Sequence, residues 1–211
     1  MTDLPVFDVL ILGSGAAGLR LALEVAPHAR VAVLSKGSYK DSSTFHAQGG
    51  IAAVLDDRDS VESHIKDTME TGAGLCDPDV VRFIVERGRR EIERLIRWGV
   101  EFSLEKGPDG KQILHLTQEG GHTRRRVVHA ADATGRAVAT ALTRQAAAHP
   151  NVTIFENSLA VDLILQSRGE SGVARCFGAY VLDKDTRALR RFLGRAVVLA
   201  TGGSSKVYLH Q

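Results

Sequence analysis

An apolar segment that runs directly into three spaced glycines constrains the fold of this chain more than any other feature. Residues 8–19 read Asp-Val-Leu-Ile-Leu-Gly-Ser-Gly-Ala-Ala-Gly-Leu, which is a buried strand, the pattern Gly-x-Gly-x-x-Gly and the start of a helix. Gly13 permits a tight turn, Gly15 lets backbone amides approach a pyrophosphate, and Gly18 permits close packing of helix on strand. The segment therefore predicts a dinucleotide-binding turn with the anion at a helix N-terminus.

The rest of the chain predicts an α/β fold. Helices are predicted near residues 19–25, 61–70, 78–98 and 136–148, and parallel strands at 30–34 and 195–200. Period-two segments at 152–155, 160–165, 173–182 and 188–192 are interpreted as a meander attached to one face of the parallel sheet. We expect one Rossmann-like domain over residues 1–211, with a parallel sheet, flanking helices and an attached antiparallel β-meander.

Composition excludes several functions. With 25% charged and 44% hydrophobic residues and a net charge of +2, the chain resembles a soluble globular protein and is too weakly basic to predict nucleic-acid binding. Cys76 and Cys176 lie far apart and form no Cys/His cluster, so we expect no metal site and a reducing, cytoplasmic location. No membrane span or signal peptide is predicted. The arginines at 124–126 are predicted to form a solvated or phosphate-facing loop.

The residue expected to contact the cofactor ribose departs from the common pattern. An acidic residue usually follows the second strand of such a fold, but Ser35 and Lys36 stand there instead. A serine hydroxyl still binds a ribose, and a lysine adds a cation near phosphate or adenosine. These residues alone do not distinguish NAD, NADP and FAD as the cofactor.

Further motifs give the chain a family resemblance. The glycine turn is followed by Ala-Gln-Gly-Gly-Ile at 47–51, Gly-Gly-His-x-x-Arg at 120–125, Ala-Asp-x-Thr-Gly at 131–135 and Ala-Thr-Gly-Gly at 200–203. In this order they resemble the flavoprotein family of succinate dehydrogenase, fumarate reductase and L-aspartate oxidase. The resemblance implies an FAD-binding domain whose capping domain and C-terminal part are not in this chain. We therefore expect a truncated chain that does not turn over substrate by itself, retains FAD weakly and exposes apolar surface.

The resemblance also implies the FAD contacts. Residues Ser14 to Ala17 would lie at the pyrophosphate, Lys36 near the adenosine, and residues 43–50 along the ribityl and isoalloxazine. The full predicted set is Gly13, Ser14, Gly15, Ala16, Ala17, Gly18, Ser35, Lys36, Ser43, Thr44, Phe45, His46, Ala47, Gln48, Gly49, Gly50, Ala160, Val161, Ala200, Thr201 and Gly202. In the dehydrogenase branch a histidine of this stretch is bonded to FAD, but Ser43 occupies its position and His46 is not equivalent. We therefore predict dissociable, non-covalent FAD.

Glu119 favours the L-aspartate oxidase branch. A carboxylate would pair with the α-ammonium of aspartate and repel a plain dicarboxylate. Thr-x-Glu-Gly-Gly-His at 117–122 resembles that branch, in which the glutamate orients the substrate. The implied reaction oxidises L-aspartate to iminoaspartate with O₂ or fumarate as acceptor. It supplies quinolinate and NAD synthesis, with quinolinate synthase as a possible partner.

Two alternatives stay open. The chain could belong to a succinate dehydrogenase or fumarate reductase flavoprotein if Glu119 is incidental, or it could be a non-catalytic flavin-binding module complete at this length. His122, Arg124 and Arg125 are expected either to contact FAD or to hold their loop. His129 is predicted to hydrogen-bond Asp132. The histidines at positions 28, 64 and 149 are predicted to lie on helix surfaces or ends, without a functional role.

Overall fold

A computed structural model describes residues 6–131, 133–167 and 174–203. The strands are β1 (Phe7–Leu12), β2 (Val31–Leu34), β3 (Ile51–Ala52), β4 (Leu104–Lys106), β5 (Gln112–Leu114), β6 (Leu116–Thr117), β7 (Val127–Val128), β8 (Val152–Phe155), β9 (Ser158–Ser167), β10 (Ala174–Asp183) and β11 (Leu189–Leu199). The helices are α1 (Ala16–Val25), α2 (Ser43–His46), α3 (Val61–Thr71), α4 (Pro78–Arg97) and α5 (Thr134–Ala148). The chain divides into two compact units, one with residues up to 46 and from 139 onward, the other with residues 47–138.

The first unit contains the predicted parallel sheet. Its six strands lie in the order β8-β2-β1-β11-β10-β9. β1 pairs in parallel with β2 and β11, and β2 pairs in parallel with β8. Every residue of β2 is buried, and Leu10 and Ile11 of β1 are fully buried, as expected of central strands covered on both faces. The α/β fold with a parallel sheet is therefore confirmed.

The antiparallel meander is also confirmed, but its predicted attachment to a sheet face is wrong. The segments predicted at 188–192 and 195–200 form one continuous strand, β11. Its first half pairs antiparallel with β10 and its second half pairs parallel with β1, so the meander extends the sheet sideways. Gly194 lies within this strand, and a Cβ there would come within 2.9 Å of the Leu10 Cβ. The glycine permits close strand packing rather than a turn.

The segment 152–155 was wrongly assigned to the meander. As β8 it pairs in parallel with β2, with Val152 opposite Val31. It directly follows α5, so it completes a strand–helix–strand arrangement, and period-two spacing does not distinguish the two pairing directions. Of the predicted strand 173–182, residue 173 lies outside the described residues.

The second unit combines helices α3 and α4 with small antiparallel sheets. β3, β7 and β6 form one sheet, and β4 and β5 form a hairpin around a turn at residues 107–110. α4 begins as predicted, because the Asp77 carboxylate accepts from the amides of Asp79 (2.9 Å) and Val80 (3.1 Å) and Pro78 follows as first helical residue. In the described part of the chain, no helix has both the length and the apolar character needed to cross a membrane.

Candidate functional site

The carboxyl ends of three parallel strands meet at Gly13. Its amide donates to the carbonyl of Leu34 at the end of β2 (2.9 Å), and the amide of Ala200 after β11 donates to the carbonyl of Leu12 (2.9 Å). The backbone of Gly13 has φ +123°, and a Cβ at this position would overlap the carbonyl oxygen of Ala200. Both conditions require glycine. Gly13 therefore allows the ends of the three strands to approach each other closely.

Helix α1 starts directly after this turn, and its N-cap residue has no side chain that could cap the helix. Its N-cap residue is Gly15, and its first turn carries no acidic residue. The amide of Ala16 donates to Oγ1 of Thr44 on α2 (3.0 Å). A Cβ on Gly18 would overlap the carbonyl of Gly13, so this glycine lets α1 pack on the turn. A helix N-terminus of this kind attracts a phosphate group.

Ser35 and Lys36, at the end of β2, differ in accessibility. The Ser35 hydroxyl accepts a hydrogen bond from Ser14 Oγ (2.7 Å), and both serines are buried. Lys36 is exposed, and its carbonyl oxygen accepts from Lys184 Nζ (3.0 Å). The Ser35 hydroxyl therefore braces the glycine-rich turn, whereas the Lys36 ammonium is accessible to a ligand.

The first half of the second glycine-rich stretch forms α2, in the first unit. Ser42 Oγ accepts from the amide of Phe45 (3.2 Å) and starts this short helix. Ser43 and His46 are exposed, while Thr44 binds the amide of Ala16 as described above. The structure thus joins α2 to the N-terminus of α1 through one hydrogen bond.

The second half of the stretch belongs to the second unit. Ala47, Gln48 and Gly49 are exposed, and the carbonyl of Ala47 accepts from the amide of Gly135 (3.0 Å). A Cβ at Gly50 would overlap the carbonyl oxygen of Val128 on β7. This glycine therefore sits tightly against the small sheet.

The remaining predicted cofactor residues lie in the first unit and differ in exposure. Ala17, Val161, Thr201 and Gly202 are exposed, and Ala16, Ala160 and Ala200 are half-buried. Ala160 packs against the hydrophobic core of the large sheet. Gly202 has φ +72°, which is typical of a glycine turn after a strand.

Glu119 is exposed and lies in the second unit, within residues 117–123, a segment that starts at the last residue of β6 and that we call the Glu119 loop. The Glu119 carbonyl accepts from the amide of His122 (3.2 Å), and Gln118 Nε2 donates to the carbonyl of His122 (2.8 Å). Gly121 has φ +81°, and a Cβ there would lie 2.8 Å from Thr71 Oγ1 on α3. The loop is therefore a tight turn packed closely against α3.

A buried ionic cluster lies at the base of this loop. Asp67 of α3 accepts from the amide of Thr123 (2.8 Å), from Thr123 Oγ1 (2.9 Å) and from Arg126 Nη1 (2.7 Å). Arg126 also donates to both carboxylate oxygens of Asp59 (2.8 Å each) and to Ser63 Oγ (3.1 Å). Burial raises the pKa of Asp67, but the hydrogen bonds from Thr123 and then Arg126 outweigh it and keep that pKa below 3.8.

This cluster corrects one prediction and adds residues that the sequence reading missed. Arg126 is fully buried, so the prediction of a solvated arginine triplet is wrong for it, whereas Arg124 and Arg125 are exposed. The physical reason is that two carboxylates compensate its charge. The signal that could have found Asp67 is the spacing of His64, Asp67 and Thr71, which puts polar side chains on one face of α3.

The same face of α3 contains a histidine contact. His64 is buried, not on the helix surface as predicted, and its ring meets that of His122 edge-on with centroids 5.6 Å apart. The Nδ1 atoms of both rings are buried without a hydrogen-bond partner. Burial, and after it the positive charge of Arg126, lower the pKa of His64. The His64 ring therefore packs as a neutral group at neutral pH.

Arg125 and His129 have local partners. His129 Nε2 lies 2.7 Å from Nδ1 of His115, and the carbonyl of Leu116 accepts from Arg125 Nε (2.8 Å). Asp132, the predicted partner of His129, lies outside the described residues. Arg125 therefore holds the backbone of its own loop.

Parallel strands that end at a glycine-rich turn, followed by a helix whose N-cap residue is glycine, define an α/β dinucleotide-binding protein. Residues 8–211 match the family model described as FAD binding domain, and the chain belongs to this family. L-aspartate oxidase of Yersinia pestis is 51% identical over 204 residues, and that of Pseudomonas aeruginosa is 50% identical over 206 residues. Each comparison covers 96% of this chain but 38% of the relative.

Solved structures give the same fold. An E. coli quinol fumarate reductase is similar with a TM-score of 0.85 and 33% identity, over 98% of this chain and 34% of that chain. The Mycobacterium smegmatis Sdh1 complex is similar with a TM-score of 0.86 and 27% identity, over 98% of this chain and 36% of that chain. The chain thus spans little more than a third of the length of the proteins it matches.

The residues of the first unit fit FAD, the cofactor of this family. At Gly13 and Gly18 a Cβ would overlap backbone, and these two glycines bring the strand ends and the helix together. Gly15 is the N-cap residue of α1 and has no side chain that could cover the amides of the first helical turn. This turn can therefore hold a pyrophosphate at the helix N-terminus.

Proposed function

We propose that this chain is the FAD-binding part of an enzyme that oxidises L-aspartate to iminoaspartate. The observation that carries the proposal is the identity of about half of all residues with bacterial L-aspartate oxidases across 96% of the chain. Bound FAD supplies the acceptor for the hydride that leaves the substrate Cα, and O₂ or fumarate would then reoxidise it. The exposed carboxylate of Glu119 supplies the chemical reason for an amino-acid substrate.

Glu119 is proposed to orient the substrate by pairing with its α-ammonium group. Its side chain is exposed, while the backbone of its loop is held by the Gln118–His122 hydrogen bond and by α3. A carboxylate in this position attracts aspartate and repels succinate, which carries two negative charges and no cation. Selectivity between the two substrates is therefore the property that Glu119 should control.

The test compares substrates in the full-length protein. We expect the wild type to have a higher kcat/KM for L-aspartate, measured by peroxide formation, than for succinate, measured with an electron-accepting dye. Glu119→Gln should lower kcat/KM for L-aspartate by about tenfold or more, because a charge-assisted hydrogen bond contributes about 1.5–3 kcal/mol. The matched control is Glu105→Gln, which changes another exposed glutamate of the same unit, on β4. An unchanged substrate preference in Glu119→Gln would contradict the proposed role.

A second candidate function is succinate oxidation or fumarate reduction without aspartate oxidation. It is favoured by the structural similarity to quinol fumarate reductase, at 33% identity. The lower identity makes it the weaker candidate, because L-aspartate oxidases match the same residues at about 50%. Succinate oxidation in the absence of any aspartate-dependent peroxide would establish this alternative.

FAD is proposed to bind without a covalent bond. The glycine-rich turn and α1 would hold the pyrophosphate, Lys36 would lie near the adenosine, and residues 43–50 would line the ribityl and isoalloxazine. Ser43 is exposed and stands where the dehydrogenase branch carries its flavin-bonded histidine. Acid precipitation should therefore release all yellow colour into the supernatant. Flavin that stays with the precipitated protein would contradict the proposal.

The product suggests the setting in which the enzyme works. Iminoaspartate is a precursor of quinolinate, so we propose a role in NAD biosynthesis, in the cytoplasm, with quinolinate synthase as the enzyme that takes up the product. The imine is unstable in water, which favours rapid transfer between the two enzymes. Co-purification of the two proteins would support the proposed partner, and separate elution at micromolar concentration would count against a stable complex.

A further inference from the structure

The Glu119 loop is fixed to one face of α3 by contacts that come from successive turns of the helix. Thr71 packs against Gly121, His64 packs against His122, and Asp67 binds Thr123. These α3 residues are spaced by three or four positions, so they lie on one side of the helix. A cavity of about 320 Å³ remains between α3 and residues 120–122, so the loop depends on these few contacts.

We propose that Asp67 is a positioning residue that sets the location of Glu119 by anchoring Thr123 to α3. Asp67 binds both the amide and the hydroxyl of Thr123, which fixes the backbone and the χ1 angle of that residue. Glu119 is joined to this anchor through His122, whose amide donates to the Glu119 carbonyl. The inference rests on the proposed function, because it concerns the residue that orients the substrate.

The arginine behind Asp67 makes this anchor rigid. Arg126 binds Asp67 and Asp59 with three short hydrogen bonds, and its own amide donates to the carbonyl of Thr117 at the start of the loop (3.1 Å). Both ends of the Glu119 loop are thus tied to the same buried cluster. Because side chains of the cluster are almost fully buried, water competes weakly for these bonds.

The sharpest variant is Thr123→Val, because Thr123 is exposed and the change removes a hydroxyl while keeping the side-chain shape. We expect kcat/KM for L-aspartate to fall about tenfold to a hundredfold, the cost of a misplaced substrate contact. The value for succinate should not fall, because succinate has no ammonium group for Glu119 to orient. Thr123→Ser keeps the hydroxyl and should have the wild-type ratio of kcat/KM for L-aspartate to kcat/KM for succinate.

A matched control separates positioning from a general loss of stability. Thr186 makes a similar local contact, its amide donating to Asp183 (2.9 Å), but it lies in the turn between β10 and β11. Thr186→Val should leave the ratio of the two kcat/KM values unchanged. A second readout is hydrogen exchange of the amides of the Glu119 loop, which should speed up in Thr123→Val but not in Thr123→Ser.

The outcomes distinguish this inference from the proposed function. If Glu119→Gln changes the aspartate-to-succinate ratio and Thr123→Val does not, the positioning role of Asp67 is overturned. If neither the wild type nor any variant oxidises L-aspartate, the proposed function fails. The exchange measurement then decides whether Asp67 anchors the loop: equal protection in Thr123→Val and wild type would overturn the inference.

Discussion

Replacing Arg126 by methionine should destabilise the protein strongly, because it removes the cation that pairs with two buried carboxylates. The side chains of Arg126, Asp59 and Asp67 have relative exposures of 0%, 2% and 3%. Methionine fills much of the same space but donates no hydrogen bond. Breaking one side of a buried ion pair in this way costs about 3–5 kcal/mol.

The loss should depend on pH in a defined direction. In the wild type the folded-state pKa of Asp67 lies below 3.8, so its stabilising effect is present above that pH and is lost as the pH falls through the folded pKa. Without Arg126, Asp67 keeps the hydrogen bonds from Thr123 but loses one of the groups that lower its pKa, so that pKa rises from its wild-type value. After burial, Arg126 is the next cause that lowers the pKa of His64. Removing Arg126 therefore raises that pKa toward 6.5, so the variant loses less stability than the wild type as the pH falls below 6.5. The difference in stability between the two proteins should thus become smaller at pH 5.

Urea denaturation at pH 7 and pH 5 measures both effects. The difference in free energy of unfolding between wild type and Arg126→Met should be about 3–5 kcal/mol at pH 7 and smaller at pH 5. Arg58→Met, which removes an exposed arginine paired with Asp56, should not shift the unfolding midpoint measurably. A small loss for Arg126→Met, or one that grows toward pH 5, would refute the argument for a buried compensated cluster.

Other contacts give further predictions. Gly13→Ala should lower FAD affinity and thermal stability, because the added Cβ would overlap the Ala200 carbonyl. An FAD titration and a thermal melt that match those of the wild type would contradict this. Thr44→Val should weaken FAD binding while Thr44→Ser retains it, because the Ala16 amide needs an oxygen acceptor. The folded pKa of His64 lies below 6.5, so stability falls as the pH drops below 6.5; His64→Gln should flatten this dependence in urea titrations between pH 7 and pH 5.

The sequence predicted the parts of the fold that local patterns encode. The continuous apolar run of β1, the glycine spacing and the Asp77-Pro78 start of α4 each determine structure within a few residues. The direction in which strands pair depends on distant residues. The joining of two predicted segments into β11, and the place of β8 beside β2, were therefore missed.

The candidate site shows the same division. The tight turn at Gly13 and the close packing at Gly18 were predicted, because both are requirements of the local backbone. The buried cluster of Asp59, Asp67 and Arg126 was not predicted, since its members are separated by up to 67 positions and each resembles a surface residue when read alone. Only the tertiary fold shows that Arg126 is buried between two carboxylates.

Flavin reduction in a single turnover tests the central proposal, an FAD enzyme that oxidises L-aspartate with the help of Glu119. The full-length protein is mixed with L-aspartate without oxygen, and the flavin absorbance is followed with time. We expect L-aspartate to bleach the flavin of the wild type faster than the same concentration of succinate does, and Glu119→Gln to remove that advantage. Bleaching by succinate alone, or equal rates for wild type and variant, would contradict the account.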